Sequence, residues 1–518
     1  MPRPVSIAVL CTLVFAACSG EDEALTEALV VVGPRVVADH LVWVDQTTAR
    51  VAWVASDTVV ESTEIDRDDV RSAVFGPEHV TLLAGGDEPA AVRVAIPGGE
   101  VDVVPLSSTF DRAFLSASGR YLVAIHDARF ARSSPVVAIN NNEIAIVDLD
   151  SQSARRVALD TESTAPRDVV FSADESRAAI VLDADVVVVD LAADGIVRVP
   201  LKLPNGDRLA PEQVVFNADA NYLFLRTSGT ADVVALELLG EGSTTSGVLN
   251  FLAVPGAERL LDLAVADDPA YVLAAFRAPE GRTIAARLAA DGDVSETRTV
   301  ELAGQATRIA LLENRTVLLH GSPDRIGSSG NAFVGGWDLE DDLVEQDALA
   351  GPTMGPAAVG AGTAFFVHAA EGGSATALTA LALRREDVRL SVALRPLVLG
   401  GNVRDYAFSS ADERVVVGVD ILREDSGAAP LPARPYGEPN DTTGALAVVD
   451  AETLAIESVV LDDPIVVVGV LGDHLYAVHP GAFGDVTFVP RASIERGAAR
   501  RVDGVLLSGL LDRTGGAR

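Results

Sequence analysis

Four of the seven histidines, His126, His320, His368 and His479, occupy one kind of position, each closing an apolar run just before a polar stretch. Asp45, Asp183, Arg226, Arg277 and Asp420 close comparable runs. Imidazoles and carboxylates gathered at one level can ligate a metal or hold a small ligand, because imidazole is both titratable near neutrality and coordinating. His320 and His368 lie in neighbouring units and are the pair that chain order brings together, whereas His126 lies several units away. Ligation needs nitrogens at roughly 2 Å from zinc, so rings more than about 10 Å apart would remove that reading. The competing reading is structural: a strand that leaves a sheet ends on a polar residue. The residues name no metal and no cofactor.

Other chemistry is sparse. Asp183-Ala184-Asp185, Asp291-Gly292-Asp293 and Asp462-Asp463 offer paired carboxylates, but none has the spacing of an EF-hand loop, and Asp-Gly turns account for them. There is no G-x-S-x-G elbow, H-E-x-x-H helix or Walker loop. The residues therefore favour binding over catalysis. A metal-dependent hydrolase or lactonase working at the His/Asp level is the second reading.

Three insertions share the same place in their units: His126 to Asn142, His320 to Asn331, and Asp420 to Gly444. Long connections at one level of a repeat fold mark a working surface. The last carries Arg423, Arg434, Tyr436, Glu438 and Asp441, so with His126, His320, His368, Asp420 and His479 it supplies the candidate ligand-binding residues. A tolerated insertion without a role is the alternative.

The elements that must position these residues are short. Between Val169 and Leu201 the apolar runs Val169–Phe171, Ala178–Leu182, Val186–Val189 and Ile196–Leu201 are separated by Asp-rich turns, which predicts a four-stranded antiparallel meander. Variants recur at about 40 to 60 residues, the spacing of a propeller blade. Their first turns fall at Asp39, Glu78, Ser118, Asp174, Asp219, Asp268, Asn314, Ala361, Asp412 and Gly472. Third strands repeat as EIAIVDL, VVVVDL, VVALEL, FVGGWDL and LAVVDA, in which the closing acid is expected to accept hydrogen bonds in a tight turn.

These paired features resemble the YVTN and WD40 families of β-propeller repeats, with Trp337-Asp338 the only WD dipeptide. The resemblance implies an all-β fold, a single propeller over residues 28–518 built of four-stranded antiparallel blades. Propellers usually have about four to eight blades, so about eight is expected, with ten as the upper count. Ring closure is expected to bring Val505–Leu511 into a sheet with Leu29–Val32 or Val36–Val44, leaving no free edge.

The formal charge of −35 among 518 residues argues against nucleic acid or an anionic lipid surface as partner. Lys202 is the only lysine. At the N-terminus, Met1-Pro-Arg-Pro precedes an apolar run from Val5 to Ala17 that is too short to span a membrane and is expected to be a processing signal. Its end, Val14-Phe15-Ala16-Ala17-Cys18-Ser19-Gly20, resembles the lipobox of bacterial lipoproteins, with Phe15 where Leu is usual. That resemblance implies removal of residues 1–17, lipidation of Cys18, an acidic tether over 18–27 and outer-membrane sorting. Cleavage after Ala17 as an ordinary secretory signal is the alternative. With Cys11 in the removed segment and Cys18 lipidated, the mature chain has neither free thiol nor disulfide. The expectation is a monomeric, lipid-anchored propeller of the cell envelope that binds a protein or carbohydrate partner.

Overall fold

Runs of Val, Ile, Leu and Ala four to seven residues long, cut by Asp, Gly and Ser, are too short for stable helices and suit a pleated surface buried on both sides. The computed structural model describes residues 30–507 except 58, 68, 128–141, 162–165, 204, 240–245, 313–314, 322–331, 350–357, 360–362, 370–375, 387–388, 410–411, 423–441 and 481–483. Among the described residues lie ten four-stranded antiparallel sheets, each made of four strands consecutive in the chain. These are blades 1 to 10, spanning residues 31–64, 70–105, 112–158, 168–200, 210–252, 259–302, 308–349, 358–397, 402–460 and 467–502.

Burial gives the radial order of each blade. The second and third strands are mostly buried, wholly so in Tyr121–Ile125 and Arg50–Val54, whereas fourth strands such as Ser153–Ala158 and Glu61–Glu64 are largely exposed. First strands are half-buried, and those of several neighbouring blades pack against one another. The first strand is therefore innermost and the fourth outermost, which is why the continuous run Val186–Val189 falls on a third strand and the alternating Ile196–Pro200 on a fourth.

The core is divided into ten apolar clusters, each formed by the facing sides of two consecutive blades. Leu41, Trp43 and Val54 of blade 1 meet Tyr476, Val478 and Phe488 of blade 10, so the circle is closed. A single blade cannot cover either of its own faces; each face is covered by a neighbour.

All ten repeat units become complete blades, which is the upper of the expected counts. One expectation is corrected. Among the described residues closure does not use a shared sheet: blades 1 and 10 are each complete, and Val505–Leu507 is a 3-10 turn laid on the seam between them, the rest of the expected closing strand, 508–511, lying outside the described residues. The acids that end third strands do accept turn N–H groups. Asp148 takes those of Asp150 and Ser151, Asp338 those of Glu340 and Asp341, and Asp450 those of Glu452 and Thr453.

Candidate functional site

Second strands end, and the connections to the next blade arrive, on one face of the ring. The predicted histidine level exists there, but it lies beneath the surface. His126, His320, His368 and His479 are 0 to 7% exposed, and Asp45 and Asp420 are likewise buried. The reason is local. The segment leading into each blade crosses the end of the second strand; thus Pro464 lies over His479, and the Thr307 N–H binds the His320 carbonyl oxygen.

The rings of His479 and His368 serve as hydrogen-bonded struts. His479 Nδ1 must donate to the Pro464 carbonyl oxygen (2.8 Å), which leaves Nε2 to accept from the Thr487 hydroxyl (2.8 Å). Burial pushes its pKa down, consistent with that neutral tautomer. His368 Nε2 shares a 2.7 Å hydrogen bond with Thr379, and His126 stacks on Phe110 at 4.5 Å with Nε2 3.9 Å from Glu143. His320 stands edge-on to Phe366 of the next blade, and burial, aided by the Arg308 charge, lowers its pKa to about 4. Asp420 pairs with Arg404.

Among the described residues no group of three or more His, Cys, Asp or Glu is placed to hold a metal ion. The paired carboxylates have other partners: Asp293 caps the short turn at Ser295, Asp462 pairs with Arg496, and Asp463 with Arg501. Cys18, Arg423, Arg434 and Tyr436 lie outside the described residues.

A recess opens on this face between blades 6 and 7. Arg259, Leu261, Arg277, Gln305 and Thr307 line a cavity of about 180 Å³. Arg259 begins the first strand of blade 6 (Arg259–Val265) and Arg277 ends its second (Tyr271–Arg277), so antiparallel pairing sets the two arginines directly opposite each other. Like charges facing across a strand pair repel. Two further arginines stand nearby, Arg226 in blade 5 and Arg308 in blade 7; burial lowers the pKa of Arg226, with Glu212 and Asp262 opposing and Arg259 and Arg308 adding to the shift.

Carboxylates offset three of the four charges. Glu212 pairs with Arg226 at 2.9 Å, Asp262 with Arg308 at 3.5 Å, and Glu258 reaches Arg277 only at 3.9 Å. Among the described residues Arg259 has no carboxylate partner, although the chain as a whole is strongly acidic. Gln305 and Thr307, from the segment between the blades, add amide and hydroxyl donors.

That segment is held by a close approach. A Cβ at Gly321, at the end of the second strand of blade 7, would fall against the backbone of Gln305, Ala306 and Thr307. Glycine lets the loop lie on the strand end and so sets the cavity wall. The sequence marked Arg226 and Arg277 as strand-end polar residues but did not reveal Arg259, Gln305 or Thr307. Their significance appears only once the cross-strand register is known.

Fold and site together define, among the described residues, a β-propeller of ten four-stranded antiparallel blades, with a buried polar level and an arginine-lined recess. No protein-family model and no curated protein matches the chain. Among solved structures it is similar to the dihydro-heme d1 dehydrogenase NirN in complex with DHE, at 13% identity over 77% of this chain and 75% of that one, with a TM-score of 0.41. It is also similar to Porphyromonas gingivalis dipeptidyl peptidase 4, at 12% identity, 86% and 61% coverage and a TM-score of 0.44. A third likeness is to the WD40 domain of SCAP from fission yeast, at 8% identity, 67% and 82% coverage and a TM-score of 0.38. No chemistry is carried over from any of them.

Proposed function

We propose that this protein is a lipid-anchored propeller of the cell envelope that works as a non-catalytic binding or scaffold protein, using the face on which second strands end. One observation carries the reading: the connections 126–142, 322–331 and 423–441 all join a second strand to a third, the same place in blades 3, 7 and 9, while 320–321, 420–422 and 442–444 of the expected insertions are paired strand. A rigid ring that presents several long connections on one face suits recognition of a protein or carbohydrate surface. The burial of His126, His320, His368 and His479 favours binding over hydrolysis, since a catalytic imidazole needs access to substrate.

The test is capture from native envelopes with the tagged full chain, compared with a chain whose residues 423–441 are replaced by a short Gly/Ser linker. A partner recovered by the first and lost by the second supports the reading; equal recovery, or none, overturns it. The anchor is tested separately. Cys18→Ala should release the protein from membranes, and continued retention would defeat that part.

A further inference from the structure

We propose that the opening between blades 6 and 7 is a binding site for a small oxyanion, held by Arg259 and Arg277 with Gln305 and Thr307 as additional donors. The inference rests on the binding-protein reading and gives one part of its working face a ligand chemistry. Three observations carry it independently of composition. Arg259 and Arg277 are direct cross-strand partners, and like charges at such positions repel, a repulsion that a bound anion would offset. The side chains border an open recess, with Arg259, Arg277 and Gln305 themselves exposed, and four of its five lining residues carry N–H or O–H donors. Its remaining lining residue, Leu261, is apolar and half-buried.

The ligand class follows from the donors. Two arginine forks match the planar oxygens of a carboxylate and the tetrahedral oxygens of phosphate or sulfate, and guanidinium stays charged at any ordinary pH. Acceptors are scarce around the opening: Glu258 stands 3.9 Å from Arg277, and the other two nearby carboxylates are engaged by Arg226 and Arg308. A cation would meet repulsion there. The volume, about 180 Å³, equals roughly six water molecules at ~30 Å³ each, below the range of drug-sized pockets. One charged group or one acidic sugar unit fits; a large cofactor does not.

Titration of the full mature chain with glucuronate, inorganic phosphate and sulfate in turn, at low salt, tests the site. Glucuronate should bind saturably, weaken as salt is added, and be displaced by whichever tetrahedral anion the site also accepts, which separates the carboxylate from the phosphate and sulfate sources. Arg259→Gln and Arg277→Gln should each weaken binding by about tenfold or more. Removing one member of a like-charged pair should leave the thermal midpoint of Arg259→Gln unchanged or raised, whereas a structural role for Arg259 would lower it. Absence of saturable binding by all three anions, or equal binding by wild type and Arg259→Gln, overturns the proposal. If that happens while partner capture still depends on residues 423–441, the binding-protein reading stands and only this site falls.

Discussion

Asp405, on the innermost strand of blade 9, accepts the backbone N–H of Val468 on the innermost strand of blade 10 at 2.9 Å. Three other seams are tied in the same way. Ser72 accepts from the Ala113 N–H, Gln213 from that of Leu263 and Asp262 from that of Ile309. In all four blades the acceptor follows a register shift in the first strand, between Val70 and Ser72, Pro211 and Gln213, Leu260 and Asp262, or Val403 and Asp405. A bulge re-aims the residue after it. Here it turns a polar side chain along the inner circle, where it substitutes for the strand pairing that separate blades lack.

Replacing Asp405 tests the tie. Asp405→Ala leaves the Val468 N–H without its partner and should cost about 1–3 kcal/mol. Burial, partly opposed by the Val468 and Tyr406 N–H groups and by Arg35, raises the Asp405 pKa, so the charged form is less favoured in the folded state than in the unfolded chain. Its contribution therefore falls as pH rises through the raised pKa and is constant above it. Asp405→Asn keeps an acceptor and removes the charge. Urea midpoints should place Asn well above Ala at pH 7, and the difference between Asn and wild type should shift in favour of wild type as pH falls towards 4. Equal midpoints for Ala and Asn would refute the tie.

His320 should give the fold an acid-sensitive component. Its pKa, lowered to about 4, lies below the ordinary histidine value of 6.5, so between these limits the unfolded chain binds a proton that the folded one does not. Stability is full above about pH 6.5 and is lost as pH falls towards 4, by up to ~3 kcal/mol for a fully buried ring. His79, lowered to about 4 by burial and by Arg93, acts in the same direction. The thermal midpoint of wild type should thus drop between pH 7.5 and 5, and His320→Gln should drop less. Parallel curves for the two proteins would show that the ring does not titrate as described.

Much of the architecture was legible because turns are chemically explicit. Asp174, Asp219 and Asp412 stand in first turns of their blades, and Asp148, Asp338 and Asp450 end third strands as acceptors. The strand-end level was legible too, since His126, His320, His368 and His479 each close a second-strand run. Its depth was not: covering a strand end is the work of a segment from elsewhere in the chain, such as Pro464 over His479, and periodicity holds no trace of it. The facing of Arg259 and Arg277 was hidden for a related reason. They are eighteen positions apart, and their meeting depends on where the bulge between Leu260 and Asp262 sets the register.

The seam between blades 10 and 1 should be the place where the ring first opens. Like the other seams it shares no strand among the described residues, but it alone joins blades that are not consecutive in the chain, so it holds by face packing together with the 3-10 turn Val505–Leu507. Val505 and Leu506 are 0% and 3% exposed, and Arg50 donates to the Leu506 carbonyl oxygen at 3.0 Å and to the Ser62 hydroxyl at 2.9 Å. Gly504 N–H is held by Asp485 at 2.8 Å, and Arg500 donates across the seam to the Ser56 carbonyl oxygen. Leu506→Ala removes a buried side chain at this junction and should cost about 2–5 kcal/mol. Because repeat folds transmit stability through nearest neighbours, the loss should be uneven. Hydrogen exchange should quicken in Leu41–Val54 and in Val467–Pro490 well before it does in blade 5, at the opposite side of the circle. Uniform acceleration around all ten blades would mean that the seam is no weaker than any other interface and that the turn over it is dispensable.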